Sequence, residues 1–188
     1  MYSCQDLRKG LKIQINNQPW LITEFEFRKP GKGSALYRCK MKNLITGNTQ
    51  EITYRPTDKI EKPDLENREM FYSYPEGDIF VFSDAVTYEE VRVPKDKLGT
   101  KQYFLMPDAQ CEILFFNGDA IDIELPTFIE KEITETEPGA RGDTATNVVK
   151  PAKLDNGYEI NVPIFINEGD VIKLDTRTGE YVERVSKA

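Results

Sequence analysis

One lysine in this sequence is displayed in a way that suggests a chemical role. Lys32 lies in the stretch FRKPGKGSALYRC, residues 27–39, between two segments that alternate apolar and polar residues. Pro30 restricts the backbone before it, and Gly31 and Gly33 on either side permit a positive φ. A tight hairpin tip of this kind presents Lys32 to a partner or to a modifying enzyme. A solvated lysine on an ordinary hairpin tip is the alternative.

Conventional enzyme chemistry is poorly supported. The chain has no histidine among its 188 residues, which removes Ser-His-Asp triads, the commonest zinc ligand and the usual acid–base group near neutral pH. A catalytic lysine needs burial to lower its pKa, and a loop tip does not supply it. Asp175, Glu180 and Glu183 are close in sequence and carboxylates can do acid–base work, but a hairpin turn explains them. We expect neither an enzyme nor a metal site.

Three further features of the sequence predict the cellular compartment of the protein. Cys4, Cys39 and Cys111 are odd in number and far apart, so they indicate neither a disulfide framework nor a CxxC metal site. There is no apolar run of about 18 residues that would predict a membrane helix. The first ten residues, MYSCQDLRKG, lack the apolar region of a signal peptide. We predict a cytoplasmic protein with no membrane partner.

The elements that must position Lys32 are β-strands. Period-two alternation in LKIQI, WLITEFEF, ALYRCKM and QEITYR predicts antiparallel strands, with Leu21, Thr23, Phe25 and Phe27 on one face of the second. The pattern restarts in the hairpins MFYSY-PEGD-IFVFSD and CEILFF-NGD-AIDIEL, with a short helix between them in residues 94–104. It restarts again in FIEKEITE, GYEINVPIFI, GDVIKLDT and GEYVERV. We predict an all-β chain of three small barrels in series.

Charge divides along the same boundaries, near Pro63 and Pro126. Residues 1–63 contain twelve Lys and Arg against six Asp and Glu, a net charge of +6. Residues 64–128 have five against fourteen, a net charge of −9, and residues 129–188 have eight against twelve, a net charge of −4. A concentrated basic face can bind phosphates even though the whole chain is acidic. The acidic middle domain faces either solvent or a basic protein.

Other cations of the first domain fit a phosphate-binding role. Arg28 and Lys29 can hold phosphates at the neck of the loop. Arg38, Lys40 and Lys42 share one face of a predicted strand and can follow a nucleic-acid backbone. An ordinary solvated strand face is the alternative for these three residues.

Two separated motifs carry a family resemblance. KPGKGSA, residues 29–35, resembles the modification loop of the bacterial elongation factor P family. PGARGDTA, residues 138–145, and KPAKLDNGYEINVPIFINEGDVIKLDTRTGEYVERV, residues 150–185, resemble the C-terminal signature of that family. The resemblance covers essentially the whole chain. The variant paralogue of the family typically lacks the lysine tip and the GDT triplet, and this chain has both.

The resemblance implies a fold and a function. It implies an L-shaped, tRNA-like factor with a KOW/SH3-like barrel in residues 1–63 and two OB-fold barrels in residues 64–128 and 129–188. Such factors bind the ribosome, both its RNA and its proteins, between the peptidyl and exit tRNA sites and contact peptidyl-tRNA. They stimulate peptide-bond formation at consecutive prolines. The implied factor has no cofactor and is expected to be a monomer.

The resemblance also assigns site residues. The lysine that matches Lys32 is extended by a modifying enzyme, in many bacteria with β-lysine, and the arm reaches toward the peptidyl-transferase centre. Gly142, Asp143 and Thr144 match a loop implicated in contacts near the exit-site codon and anticodon, although a Gly-Asp pair is also a common turn. Tyr181 and Arg184 match late residues of the family pattern and are candidate tRNA contacts. A sheet tyrosine and a surface arginine are the alternatives.

A different class of function stays open at this point. A general single-stranded RNA-binding chaperone built from OB-folds would show exposed aromatic residues beside basic ones. Phe80 and Phe82 alternate as such a pair would, but they lie in the acidic domain. Specific ribosome binding by purified protein would favour the translation factor, and broad single-strand binding would favour the chaperone.

Overall fold

The computed structural model describes residues 1–138 and 148–188. These residues form β-strands with one short α-helix and two 3-10 helices, which confirms the predicted all-β class. The chain divides into two compact units, residues 1–68 with 113–123 and residues 69–112 with 124–188. No helix in the described part is long and apolar enough to cross a membrane.

The first sheet is antiparallel and carries the Lys32 loop. Its strands are β1 (Lys12–Ile15), β2 (Gln18–Arg28), β3 (Leu36–Asn43) and β4 (Thr49–Tyr54), in that spatial order. Apolar side chains from one face form a core with the 3-10 helix Cys4–Asp6. Isolated bridges from Tyr2 to Ile60 and from Gln14 to Glu61 bring the ends of this region together.

The predicted face of β2 is wrong for half of its length. Trp20 and Ile22 are buried, whereas Leu21 and Thr23 are only partly so. A β-bulge between Ile22 and Glu24 shifts the register against β3. An extra residue in one strand reverses which positions face the core, so the inward set changes from even-numbered to odd-numbered residues at the bulge. Phe25 then packs at the edge of the core as expected.

The second sheet contains two tight hairpins and a fifth strand. Its strands are β5 (Leu65–Glu76), β6 (Ile79–Asp84), β7 (Glu90–Pro94), β8 (Gln110–Phe116) and β9 (Asp119–Glu124), in the order β7-β6-β5-β8-β9. The hairpins are β5–β6 and β8–β9, and the fifth strand, β7, pairs with β6. The β8–β9 turn has φ 49° at Asn117 and 85° at Gly118, as a type I′ hairpin requires. The predicted short helix is present as α1 (Lys95–Leu98), followed by the 3-10 helix Gly99–Phe104.

The third sheet contains a strand that the sequence pattern missed. Its strands are β10 (Phe128–Thr136), β11 (Val149–Leu154), β12 (Glu159–Pro163), β13 (Val171–Asp175) and β14 (Glu180–Ser186), in the order β12-β11-β10-β13-β14. The missed strand is β11, which contains Pro151. It lies between β10 and β12 and pairs with both. Proline is disfavoured in a central strand because it lacks the N–H donor. Here Lys150, Ala152 and Leu154 point inward around it.

The core of the third sheet includes a residue from a distant part of the chain. Phe104, at the end of the 3-10 helix, is buried with Ile133, Leu154 and Leu174. Its ring meets Tyr158 edge-on, with ring centroids 5.0 Å apart. The three sheets together use residues 12–54, 65–124 and 128–186, but the compact units group the chain differently. The domain boundaries at 63 and 128 therefore stay predictions.

Candidate nucleic-acid interface

The Lys32 loop joins the ends of β2 and β3. The last cross-strand pair before the loop joins Arg28 of β2 to Leu36 of β3. Gly33 has a φ of 116°, which a residue with a side chain rarely adopts. Gly31 does not have a positive φ, so only Gly33 uses the conformational freedom that both glycines permit. A Cβ added to either glycine would meet no atom within 4 Å, which shows that the loop stands in open space.

The cations of the loop are available to a partner. Lys29 and Lys32 are exposed, and neither makes a hydrogen bond or ion pair to residues 1–138 or 148–188. Arg28 differs, because its Nε donates to Glu26 Oε1 at 2.7 Å. The Arg28 and Glu26 side chains are 66% and 47% exposed, and an exposed pair of this kind contributes little to stability. A phosphate can therefore replace Glu26 as the partner of Arg28 at small cost.

An aromatic pair forms the neck of the loop. Phe27 and Tyr37 are cross-strand partners, and their ring centroids lie 5.1 Å apart at an interplanar angle of 58°. Phe27 is 50% exposed. Aromatic cross-strand pairs stabilise a hairpin, so this pair fixes the base from which Lys32 projects. Strand alternation predicts that Phe27 lies on a strand face, but it does not indicate this role.

The basic strand face is partly neutralised by carboxylates. Arg38, Lys40 and Lys42 are all exposed on β3, as expected. Arg38 Nε donates to Glu51 Oε1 at 2.6 Å, and Lys40 Nζ lies 3.2 Å from a Glu24 oxygen. The hydrogen bond with Glu51 raises the pKa of Arg38 above its usual value. Phosphate tracking along this face stays a prediction, and it requires these cations to exchange partners.

Tyr181 and Arg184, the two candidate tRNA contacts in the third sheet, both contact other residues of the folded protein. Arg184 Nη1 lies 3.6 Å from Asp170 Oδ2, and its Cζ lies 5.1 Å from the centre of the Phe165 ring. Tyr181 is half-buried against the core, and burial raises the pKa of its hydroxyl. Both residues have structural partners. A tRNA contact through either one stays a prediction.

Asp170 holds this part of the fold together. It accepts hydrogen bonds from the backbone N–H groups of Asn167 and Ala188, each at 2.9 Å. Burial alone would raise the pKa of Asp170, but these N–H groups and the Arg184 guanidinium hold it below the ordinary value. Arg184 therefore has a structural task in the folded protein.

The predicted GDT loop lies outside the described residues. Gly142, Asp143 and Thr144 fall between 138 and 148, so their role stays a prediction. The described residues on either side are tied together, because the nine-tenths buried Lys150 donates its ammonium to the carbonyl of Glu137.

Two of the three carboxylates considered for acid–base work, Asp175 and Glu183, have structural partners. Asp175 accepts hydrogen bonds from Arg177, which lower the pKa of its carboxyl group. Glu183 accepts a hydrogen bond from Lys173 at 2.7 Å. Among the described residues there is no group of three or more Cys, Asp and Glu that could hold a metal ion. Burial also raises the pKa of the thiols, to about 11 for Cys39 and about 12 for Cys111.

The aromatic pair considered for an RNA chaperone does not form an exposed platform. Phe82 is fully buried, with its ring 5.6 Å from that of Tyr72, and Phe80 is partly buried. A base-stacking platform needs exposed ring faces, so this observation weighs against the chaperone.

Known proteins of one family match this chain along its whole length. Family models match residues 3–60 (Elongation factor P KOW-like domain), 65–123 (Elongation factor P OB domain) and 129–184 (Elongation factor P, C-terminal). An elongation factor P of Desulforapulum autotrophicum is 48% identical over 187 residues and covers 100% of both chains. That of Rhodopirellula baltica is 48% identical over 98% of this chain and 95% of its own. This chain belongs to the elongation factor P family.

More distant structures agree with the fold of an elongation factor P. A translation initiation factor 5A from Methanococcus jannaschii is 23% identical, with a TM-score of 0.56 over 66% of this chain and 91% of its own. An initiation factor of the same kind from Naegleria fowleri is 17% identical, with a TM-score of 0.54 over 66% of this chain and 96% of its own. The predicted KOW-like and OB-fold architecture is confirmed. The elongation factor P family is a family of translation factors, so the coarse function is confirmed as well.

Proposed function

We propose that this protein binds the ribosome between the peptidyl and exit tRNA sites and stimulates peptide-bond formation at consecutive prolines. Lys32 carries the activity, extended by a modifying enzyme of the host with a lysyl-type group. The single observation that carries the proposal is the isolation of Lys32, which is exposed, framed by Pro30 and glycines, and unpaired within residues 1–138 and 148–188.

The physical task fits a slender cation. Proline reacts slowly in peptide transfer because its ring restricts the geometry of the reacting ends. Holding those ends in a productive arrangement lowers the entropic part of the barrier. That task requires reach and positive charge, and it requires no nucleophile or general base. Lys32 with an amide-linked lysyl extension supplies both, and it acts by positioning peptidyl-tRNA.

The rest of the first domain supplies anchoring. Its net charge of +6 favours contacts with RNA phosphates. Phe27 and Tyr37 hold the neck of the loop, and Lys29 provides a second cation beside Lys32 that has no partner among the described residues. The protein acts as a monomer in the cytoplasm, with no cofactor other than the covalent extension.

The test is synthesis in vitro of a reporter with three consecutive prolines, using protein purified from its own host. Lys32→Ala should leave ribosome affinity largely intact, because many phosphate contacts share that energy, and should abolish the stimulation. Lys59→Ala, which removes an exposed lysine of the same domain, is the matched control and should behave as the wild type.

Two results would revise the proposal. Full stimulation by Lys32→Ala would contradict the role of this lysine. Full stimulation by Lys32→Arg, which keeps the charge but cannot accept the amide-linked extension, would show that an unmodified cation suffices. The intact mass of the protein from its native host measures the modification directly.

A further inference from the structure

The core-facing side of the first sheet ends in a row of three aromatic side chains. Phe27, Tyr37 and Tyr54 are consecutive cross-strand partners on β2, β3 and β4, and directly opposed residues of antiparallel strands share one face of a sheet. The neighbouring row on this face contains Phe25 and Cys39, and Cys39 is fully buried. The face therefore changes from buried core to exposed ring within one row of residues.

Phe27 is the exposed end of this row. Its side chain is 50% exposed, whereas Tyr37 and Tyr54 are partly buried. The Tyr37 ring lies between two phenylalanine rings, with its centroid 5.1 Å from that of Phe27 and 6.4 Å from that of Phe25. Among residues 1–63, all of which the structure describes, no other aromatic side chain is exposed to this extent. The sheet thus supports one open ring at the neck of the Lys32 loop.

Two other exposed phenylalanines each have a cation of the fold over the ring. Lys173 Nζ lies 5.9 Å from the centre of the Phe128 ring, and Arg184 Cζ lies 5.1 Å from the centre of the Phe165 ring. No cation of the described chain lies over the Phe27 ring. The face of an aromatic ring carries negative charge density and stacks on other π-systems. The Phe27 ring is therefore available to a partner in a way that the other two rings are not.

The charge beside the ring favours a nucleic acid as the partner. Lys29 and Lys32 follow Phe27 in the loop, and neither has a partner among the described residues. Residues 1–63 carry a net charge of +6, which attracts RNA phosphates. Proteins hold unpaired bases on aromatic rings beside cations, because every base has a face that stacks on a ring. A single ring is too small for a specific protein interface, which buries about 1,000 Å² or more.

We propose that Phe27 is a stacking platform for one unpaired nucleobase of RNA, with Lys29 on the phosphate beside that base. The stacked base fixes the RNA strand at the neck of the loop, so the Lys32 arm starts from a defined position. This inference deepens the proposed function, and it rests on that function in taking RNA as the partner. One ring holds one base, so the platform adds a single contact and does not make the protein a general RNA chaperone.

Two oligonucleotides with the same phosphates separate stacking from charge. One is a short single strand of oligoadenylate, and the other is an abasic strand of the same length and backbone. The wild-type protein should bind oligoadenylate about tenfold more tightly than the abasic strand, because stacking of one base on an aromatic ring contributes at this level. Affinities are measured by the fluorescence anisotropy of end-labelled strands at low ionic strength, where phosphate contacts are strong.

Substitutions separate stacking from support of the neck. Phe27→Leu keeps an apolar side chain beside Tyr37 and removes the ring. It should weaken oligoadenylate binding about tenfold and leave the affinity for the abasic strand unchanged. Phe27→Tyr keeps a ring and should bind as the wild type. Phe128→Leu is the matched control, because Phe128 is 49% exposed and already has Lys173 over its ring, and it should change neither affinity.

Three results would overturn the stacking platform. Equal affinity of the wild type for the two strands would show that phosphates account for all of the binding, and no measurable binding of either strand would contradict RNA as the ligand of the ring. Equal weakening of both strands by Phe27→Leu would show that the ring only supports the neck. Each of these results leaves the role of Lys32 intact. Full stimulation of proline-reporter synthesis by Lys32→Ala would instead contradict the proposed function, whatever Phe27 binds.

Discussion

The Lys32 loop and the Tyr88 turn are both exposed, but they are held in opposite ways. Residues 29–35 make no hydrogen bond to the described chain, and the loop is fixed only at its neck, by Arg28 paired with Leu36. The turn at 84–89 closes around the buried Asp84 through several hydrogen bonds. One loop displays charge on a backbone without hydrogen bonds to the described chain, and the other displays apolar side chains on a hydrogen-bonded backbone.

The turn at 84–89 is the middle one of three similar turns, of which the first spans residues 43–48 and the third spans residues 175–180. In each, the side chain of the first residue accepts the N–H of the third residue at 2.8 Å. The fifth residue of each turn, which is Gly47, Tyr88 or Gly179, has a positive φ. A long side chain that must reach a distant site needs a fixed neck at the base of its loop. It gains little if the rest of the loop is rigid as well. Substitutions should therefore affect folding stability strongly in the hydrogen-bonded turns and weakly in the Lys32 loop.

The largest effect is expected in the third turn. An added Cβ at Gly179 would lie 2.6 Å from the Tyr158 hydroxyl and 3.3 Å from Phe104 Cζ. Gly179→Ala should therefore lower the free energy of unfolding by about 3 kcal/mol, from steric overlap together with the positive φ. Urea denaturation measures this change. The double variant Gly179→Ala with Tyr158→Phe should recover part of the loss, and no recovery would show that the hydroxyl is not the obstacle.

The second effect concerns the side chain that closes the middle turn. Asp84→Ala leaves two N–H groups without their acceptor, and it should lower the free energy of unfolding by about 2 kcal/mol. Asp84→Asn is the matched control, because Asn43 performs the same task in the first turn with 2.8 and 3.0 Å hydrogen bonds. Asn should retain most of the stability in urea denaturation. Equal stability of the Ala variant and the wild type would contradict the role of this side chain.

The third effect exchanges the fifth residues of two turns. Gly47→Tyr puts a ring into a turn with φ 77° and open space around it. It should destabilise by about 1 kcal/mol, as expected for a bulky residue in the left-handed region. Tyr88→Gly should give a change of opposite sign, reduced by the greater freedom of glycine in the unfolded chain. Two changes of the same sign, measured by thermal unfolding, would show that the turns are not equivalent.

Much of the fold could be predicted because alternation and turn residues act locally. The β8–β9 hairpin required only Asn117-Gly118 between two apolar runs. Strand β11 was missed because Pro151 argues against a central strand. The change of face along β2 was missed because a bulge depends on pairing with β3, which the sequence of β2 alone does not contain.

The functional and structural residues also divide into those that the sequence could predict and those that it could not. Lys32 could be found because proline and glycine mark a hairpin tip in the sequence itself. The burial of Phe104 with the third-sheet core could not, since it joins residues far apart in the chain. The repeated Asx-x-x-Thr pattern of the three turns was present in the sequence. Its meaning depends on φ at the fifth residue and on the exposure of Tyr88, and both are properties of the folded chain.

The smallest effect is expected in the Lys32 loop, and it tests whether that loop is weakly held. Gly33 has φ 116° and Gly31 has no positive φ, while neither has an atom within 4 Å of an added Cβ. Gly31→Ala should be neutral. Gly33→Ala should change the free energy of unfolding by less than about 0.5 kcal/mol, because a loop without hydrogen bonds can relax away from the strained φ. The relaxed loop should present Lys32 differently, so proline-reporter synthesis should fall for Gly33→Ala and not for Gly31→Ala. A stability loss above about 1 kcal/mol for Gly33→Ala would show that the Lys32 loop is held as firmly as the hydrogen-bonded turns.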